Sequence, residues 1–286
     1  MLSQSLTRVA EICCKGHFKT CIGIDEAGRG PLAGPVVCAA VFVDESIETV
    51  EGVMDSKKVT TEKEREETFE RLISNTKIAF GVSIISNIDI DRMNILQATL
   101  AGMKNSLIEL TKRAKLKIDW KHCIAMIDGN KIPNDMPIEC KYVIKGDSFI
   151  FSIAAASIIA KVTRDRIMHE LSLKYPLYLL SKHKGYPTFE HRKLLFQYGP
   201  TDIYRFSYRP VKEACLRHGI PLPPYLNVEE KIGDDRPSNR STRNKITTKV
   251  STGTILKGEK IDKSNKKSVH KISVHKISKK SVEKNT

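Results

Sequence analysis

Short apolar runs alternate along this chain with longer stretches in which apolar residues recur every three or four positions. The short runs are rich in β-branched residues and predict buried strands, whereas the longer stretches predict amphipathic helices. Strands are predicted over residues 21–26, 36–43, 78–85, 123–127 and 139–144, and helices over residues 60–74, 88–116 and 149–173. This order predicts an α/β fold in which helices flank a mixed β-sheet.

The two ends of the chain differ in composition from the middle. Residues 1–20 predict a short amphipathic helix, and residues from about 175 to 226 predict a small C-terminal helical region with basic and aromatic loops. Residues 227–286 hold 16 Lys and Arg against 7 Asp and Glu, and no Phe, Trp or Tyr. Such a segment buries too little apolar surface to offset the entropy lost on ordering. We therefore predict one folded domain over residues 1–226, followed by a disordered Lys-rich tail.

The formal net charge of the chain is +15, and the tail contributes +9 of it (16 minus 7). A charge of this size indicates a polyanionic partner, although it says nothing about the fold. For the tail two interpretations stay open. It is either a nonspecific nucleic-acid tether or a solubilising appendage without a specific role.

Cysteine usage and hydropathy restrict the cellular location. The seven cysteines include no C-x-x-C pair, which argues against a disulfide framework and a zinc knuckle and favours a reducing compartment. Residues 1–20 lack the sustained apolar core of a signal peptide, and the most apolar window, 149–160, is too short to span a bilayer. We expect a soluble cytoplasmic protein that does not associate with membranes.

The first strand ends in two adjacent carboxylates, Asp25 and Glu26, and the chain then turns through glycines around Arg29. A charge at the end of a buried strand needs a counter-charge or a metal. Glycine lets backbone amides approach a ligand closely, and the arginine fork suits phosphate. These residues favour a metal-dependent phosphoryl-transfer site. The alternative is a strand end followed by a solvated turn.

Four acids lie at strand ends or helix entries, each beside a glycine or a small residue: Asp25, Glu26, Asp128 and Asp147. Hard divalent cations take oxygen ligands, and four converging carboxylates would hold two such ions around a phosphodiester. Asp165 lies among cations on one predicted helix, which favours a structural ion pair instead.

A second basic segment, residues 182–188, combines cations, a glycine turn and Tyr186. An exposed tyrosine is able to stack on a sugar or base of a nucleic acid. The alternative is a tyrosine that covers the edge of the core with its hydroxyl in water. We do not expect His183 or His191 to bind a metal, since neither has a thiolate or a close histidine partner in the sequence.

Together these segments closely resemble bacterial ribonuclease HII over roughly residues 20–215. The resemblance rests on six ordered motifs: GIDEAGRGPLAGP from Gly23, DSKK from Asp55, IDG from Ile127, GDS from Gly146, IAAASIIAKVTRDR from Ile153 and HKGYPT from His183.

The resemblance implies a ribonuclease H-like fold and a metal-dependent endonuclease that cleaves the RNA strand of RNA–DNA hybrids. It also implies nicking 5′ to ribonucleotides embedded in duplex DNA, with Mg²⁺ or Mn²⁺ and with 3′-hydroxyl and 5′-phosphate products. Carried over by motif, the four acids would bind the metal. Gly28, Arg29 and Gly30 would contact the ribonucleotide, Tyr186 would pack at its ribose, and Lys57 and Lys58 would hold phosphates.

The chain departs from the family pattern at two places. The family commonly has a His-Arg step where this chain has Tyr204 and Arg205, and the tail after residue 226 lies outside the pattern. Two alternative functions remain: a hybrid-binding module that has lost catalysis, and another ribonuclease H-like nuclease acting on DNA. The presence of all four acids argues against the first, and the Gly-Arg-Gly loop argues against the second. We expect a monomer, and a replication or repair partner is compatible with the sequence.

Overall fold

The computed structural model describes residues 11, 16–53, 61–114 and 118–226. The elements of this part are β1 (Thr20–Ala27), β2 (Val36–Val43), α1 (Glu62–Ser74), β3 (Ile78–Ile85), α2 (Asn87–Arg113), β4 (Cys123–Asp128), β5 (Glu139–Val143), α3 (Phe151–Lys174), α4 (Leu180–His183), α5 (Phe189–Tyr198) and α6 (Arg209–His218). Short 3₁₀ turns lie at 120–122, 146–148, 176–178 and 224–226.

The five strands form one sheet in the order β3-β2-β1-β4-β5. β1 pairs antiparallel with β2, and β2 with β3, whereas β1 and β4 are parallel, as are β4 and β5. The predicted mixed sheet is thus confirmed. β1 lies at its centre and runs parallel to β4, so the carboxyl ends of these two strands meet at the same edge of the sheet.

The sheet is covered by helices on both faces. Alternate residues of a strand point to opposite faces, and the two hydrophobic clusters follow this alternation. Val37, Ala39 and Val41 of β2 pack with α3, whereas Cys38 and Ala40 pack with α2. The continuous apolar sequence of β2 follows from this burial on both faces.

Gly23 allows α3 to approach β1 very closely. A Cβ atom at this position would lie 2.1 Å from the backbone carbonyl carbon of Ser152 in α3. No side chain fits into that space, so the glycine sets the distance between helix and strand. The same contact brings the next turns of α3 beside the carboxyl end of β1.

A third apolar cluster joins the C-terminal helices to the loop after β1. Leu32 packs in this cluster with Met168 of α3 and with Tyr204. Backbone hydrogen bonds fix the loop from two sides: Leu32 N donates to Gly185 O at 2.8 Å, and Arg205 N donates to Leu32 O at 2.9 Å. The C-terminal region therefore supports the loop that follows the first acids.

Several boundaries differ from the predictions. Helix α1 begins at Glu62, two residues later than predicted, because Thr61 caps it in a capping box with Glu64, and Glu64 N donates to Thr61 Oγ1 at 3.2 Å. α2 is interrupted at Asn94, where φ is +67°, and the Asn94 side chain caps the helix that follows. α3 begins two residues later than predicted, after the 3₁₀ turn at 146–148.

Some predictions lie outside the described residues. These are residue 60 of the first predicted charged helix, Lys57 and Lys58, most of the predicted helix over residues 1–20, and the tail 227–286. The division into a domain over 1–226 and a tail therefore stays a prediction. Among the described residues, no helix has the length and hydropathy needed to cross a membrane.

Candidate active site

Asp25 and Asp128 lie on the same face of the sheet at the ends of adjacent parallel strands. Ile24 is paired with Ile127, so Asp25 and Asp128 are the next residues in the same register. Residues that lie two or four positions before each aspartate point to the same face of the sheet and pack towards α3. They are Cys21 in β1, and Ile124 and Met126 in β4. The alternation of the strands therefore turns both carboxylates towards α3.

Asp25 occupies the most buried position of the acidic group and is 5% exposed. Its Oδ1 accepts a hydrogen bond from Glu26 N at 2.7 Å. Burial raises the pKa of the Asp25 carboxyl well above its usual range, and the carboxylates of Glu26 and Asp128 raise it further. A hydrogen bond with the Ser157 side chain of α3 opposes this increase.

The pKa values of Glu26 and Asp128 are also raised, but less strongly than the pKa of Asp25. Burial raises the pKa of Glu26, against the effect of Arg29, whose Nη1 lies 3.3 Å from Glu26 Oε1. Burial also raises the pKa of Asp128, and Asp147 adds to this increase. Gly146 N donates to Asp128 Oδ1 at 2.6 Å and partly offsets it.

Asp147 lies on the 3₁₀ turn between β5 and α3 and is partly exposed. Ser148 Oγ donates to its Oδ1 at 3.2 Å. The preceding Gly146 is constrained, because a Cβ atom there would lie 2.5 Å from Ile153 Cδ1. This turn places Asp147 beside Asp128, so the structure brings all four predicted acids to one edge of the sheet.

The donor set of this edge fits a hard divalent cation. It consists of carboxylate oxygens, which Mg²⁺ and Mn²⁺ prefer, and three of the carboxyls have raised pKa values because they are buried near one another. A bound cation would favour the charged carboxylates and so oppose both the effect of burial and the mutual repulsion that raise these pKa values. Among the described residues, no three His, Cys, Asp or Glu side chains already converge closely enough to hold an ion. The acids thus form an acidic cluster rather than a closed metal cage.

The Gly-Arg-Gly loop directly follows the acidic strand end. Gly28 is buried with φ +101°, and a Cβ atom there would lie 2.1 Å from Arg164 Nε. Arg29 and Gly30 are exposed. This part of the loop therefore combines a tightly packed inner side with a solvent-facing outer side next to the carboxylates.

Tyr186 lies against the same loop. A Cβ atom on Gly30 would lie 3.4 Å from the Tyr186 ring, and the ring is 41% exposed. The Arg164 guanidinium lies 5.9 Å from the ring centroid. The structure thus brings together Tyr186 and the loop and leaves one part of the ring open to a ligand.

The histidines and Asp165 have structural contacts. His183 and His191 stack at 4.2 Å, and each donates to a backbone carbonyl, of Tyr178 and Tyr186 respectively. Burial lowers the pKa of His191 to about 4. Tyr204 is buried and hydrogen-bonds His191 Nε2 at 2.9 Å.

Asp165 pairs with Lys161 at 2.7 Å, which confirms the interpretation as an ion pair. The predictions omitted Ser157, Arg164, Arg205 and Tyr208 from the site. A signal was available for Arg164, because Ala160, Arg164 and Met168 follow each other at four-residue spacing on the buried face of α3. An arginine on such a face indicates a polar partner in the interior.

A family model described as Ribonuclease HII matches residues 22–211. The chain belongs to the ribonuclease HII family. A relative, the Ribonuclease HII of Caldicellulosiruptor bescii, is 48% identical over 191 residues, which are 67% of this chain and 87% of the relative. Membership confirms the predicted class, a metal-dependent hydrolase of the ribonuclease H type.

Solved structures of this class share the fold. The ribonuclease H2 from Pyrococcus horikoshii OT3 matches with a TM-score of 0.55 and 27% identity, over 70% of this chain and 98% of that chain. The RNase HII of Archaeoglobus fulgidus, solved in complex with PCNA, matches with a TM-score of 0.54 and 26% identity, over 68% and 96% respectively. The predicted ribonuclease H-like fold is therefore confirmed.

Proposed function

We propose that this protein cleaves the RNA strand of RNA–DNA hybrids and nicks duplex DNA on the 5′ side of an embedded ribonucleotide. The observation that carries the proposal is the arrangement of Asp25 and Asp128 in register on adjacent parallel strands, with the Gly-Arg-Gly loop directly after the first of them. Phosphodiester chemistry and ribose recognition would then take place at neighbouring points of one surface.

Asp25, Glu26, Asp128 and Asp147 are proposed as the residues that hold Mg²⁺ or Mn²⁺. When bound, such ions activate water and stabilise the charge that develops around the phosphorus, and the products are a 3′-hydroxyl and a 5′-phosphate. The chain's own contribution is to hold these carboxylates close together. Asp25 is fixed by Glu26 N and Ser157, and Asp128 by Gly146 N.

Substrate recognition is proposed for the exposed side of the loop and its neighbour. Gly28, Arg29 and Gly30 would contact the ribonucleotide and its 2′-hydroxyl, since the two glycines have no side chain to keep the ribose away from the backbone amides. Tyr186, open beside Gly30, would pack on the sugar. Lys57 and Lys58 stay proposed phosphate contacts, although they lie outside the described residues.

The partner that the proposal requires is nucleic acid, and the positive charge of the chain supports this. A monomeric state and a cytoplasmic location stay predictions. The same holds for a replication or repair partner, and the complex with PCNA is a property of the Archaeoglobus fulgidus protein.

The test is cleavage of a DNA duplex that contains one ribonucleotide, beside an all-DNA duplex of the same sequence, with Mg²⁺, Mn²⁺ or chelator. We expect a metal-dependent nick 5′ to the ribonucleotide and an intact control. Tight binding without cleavage would indicate a binding module that has lost catalysis. Cleavage of the all-DNA duplex would indicate a DNA nuclease of the same fold.

A further inference from the structure

The backbone carbonyls of the loop after β1 converge on the buried guanidinium of Arg205. Its Nε donates to Gly34 O at 3.0 Å, Nη1 donates to Arg29 O at 3.0 Å, and Nη2 donates to Gly28 O at 2.6 Å and to Pro35 O at 3.1 Å. Nη1 also donates to the Tyr208 hydroxyl at 3.1 Å. All five N–H groups of a guanidinium are thereby used.

Arg164 of α3 binds the other end of the same loop. Its Nε donates to Pro35 O at 3.0 Å and its Nη2 to Ala33 O at 3.3 Å. Its Nη1 donates to Lys184 O at 3.0 Å, two residues before Tyr186. One side chain thus connects the loop to the segment that carries the exposed tyrosine.

Both guanidiniums are almost completely buried, Arg164 at 1% and Arg205 at 0% exposure. Among the described residues, neither forms an ion pair with a carboxylate. Burial lowers the pKa of Arg164 to about 10, so its guanidinium is still protonated at neutral pH. Asp165 and Asp91 interact electrostatically with Arg164 and Arg205 respectively, without forming an ion pair. Two buried cations that donate mainly to carbonyl oxygens therefore lie directly beneath the loop, and they favour an anionic ligand on its outer side.

The direction of the carbonyls determines the direction of the amides. A trans peptide is planar, so the N–H of each residue points away from the preceding C=O, and no cis peptide occurs among the described residues. Gly28 O and Arg29 O point to Arg205, so the N–H groups of Arg29 and Gly30 point the opposite way. Both residues are exposed. The loop therefore presents hydrogen-bond donors to solvent beside the acidic cluster.

We propose that Arg164 and Arg205 are positioning residues that hold the loop with its amide donors outward and thereby determine how selectively the enzyme recognises a ribonucleotide. The inference rests on the proposed function of the loop. Neither guanidinium touches the substrate, because both lie behind the backbone that they hold. If a guanidinium is replaced, the loop carbonyls lose their common hydrogen-bond donor. The loop amides are then no longer held in one orientation towards a 2′-hydroxyl.

The variants are Arg205→Lys and Arg164→Lys, which keep the charge but cannot reach several carbonyls from one nitrogen. The matched control is Arg166→Lys, on the same helix, whose side chain binds Glu66 and Glu70 on the surface. For each protein the assay measures kcat and KM for nicking of the single-ribonucleotide duplex. The inhibition constant Ki of the all-DNA duplex, added as a competitor, is measured under the same conditions, together with Tm.

For Arg205→Lys we expect kcat/KM to fall about tenfold, mostly through KM, which corresponds to about 1.4 kcal/mol. Ki for the all-DNA duplex stays within about twofold, and Arg166→Lys resembles the wild type in both values. A fall in kcat/KM matched by an equal rise in Ki would overturn the inference. The arginines would then contribute equally to the binding of both duplexes. Unchanged kcat/KM in a folded variant would overturn it as well.

Tyr208→Phe provides a milder test if a lysine variant does not fold. Its hydroxyl donates to Arg29 O at 3.1 Å and accepts from Arg205 Nη1, so its removal loosens only one contact of the loop. We expect a fall in kcat/KM of about threefold with Ki unchanged, and wild-type values would contradict the inference. A wild-type enzyme that does not nick the ribonucleotide duplex would refute the proposed function itself, whereas an active wild type with unaffected variants refutes only the positioning role.

Discussion

Asp128→Asn removes one negative charge from the acidic cluster and changes little else. The amide oxygen of asparagine is able to accept the hydrogen bond that Gly146 N now donates to Asp128 Oδ1 at 2.6 Å, and the side-chain volume is almost the same. A metal ligand contributes several kcal/mol of charge stabilisation in the transition state. A loss of about 4 kcal/mol corresponds to a fall in kcat of about 10³-fold, at about 1.4 kcal/mol per factor of ten.

The assay compares nicking of the single-ribonucleotide duplex with binding of the same duplex in chelator. We expect the rate to fall by about 10³-fold and the Kd to stay the same or decrease, because a negative charge near the phosphates is removed. Asp135→Asn is the matched control, since Asp135 is exposed in the connection between β4 and β5. Near-normal turnover of the Asp128 variant would refute its assignment as a metal ligand.

The same variant makes a prediction about stability in the absence of metal. Burial, and then Asp147, raises the pKa of Asp128 above its ordinary value of 3.8. A carboxyl with a raised folded-state pKa destabilises the folded protein once it is ionised. The Tm of the wild type should therefore fall, relative to Asp128→Asn, as pH rises from about 3.8 through the raised pKa. In chelator the variant should match the wild type in acid and exceed it at neutral pH, and a Tm difference independent of pH would contradict the electrostatic explanation.

Three further predictions concern the tail, a buried acid and a close contact. Deletion of residues 227–286 should weaken binding of the hybrid and reduce the slope of log K against log salt, since fewer counterions are released. An unchanged slope would exclude the interpretation of the tail as a nucleic-acid tether. Asp91→Ala should lower the free energy of unfolding by about 3 kcal/mol in denaturant titrations. The variant removes the buried carboxylate that accepts hydrogen bonds from two backbone amides and a hydroxyl of residues 206–207. A decrease of less than about 1 kcal/mol would refute this prediction. Gly23→Ala should cost about 3 kcal/mol or prevent folding, since its Cβ would lie 2.1 Å from the backbone of α3. The control Gly219→Ala, which meets no atom within 4 Å, should cost about 1 kcal/mol from its positive φ alone, and equal losses in the two glycine variants would contradict the steric argument.

Local patterns in the sequence were sufficient for most strands and helices and for the acids at the ends of apolar runs. β2 and β3 occupy the predicted residues, 36–43 and 78–85, because each mainly apolar run is bounded by a proline or by polar residues in the sequence. The acids at the ends of apolar runs were recognisable for the same reason, since a charge next to a buried strand requires a partner. The motifs around Asp25, Asp128 and Tyr186 then indicated the family.

Only the tertiary structure determined how these parts face one another. The register that places Asp128 beside Asp25 depends on pairing between strands about 100 residues apart, and the period of two residues allows either face until that pairing is known. No proline or glycine lies near Asn94 in the sequence to predict the break of α2 at this residue. The spacing on α3 indicates a polar partner for Arg164. Most contacts of Arg164 and Arg205 are with backbone carbonyls, which every residue possesses, so the sequence does not identify which carbonyls they bind. The sequence specifies the chemistry of each side chain, whereas the direction of each backbone carbonyl is determined only when the chain folds.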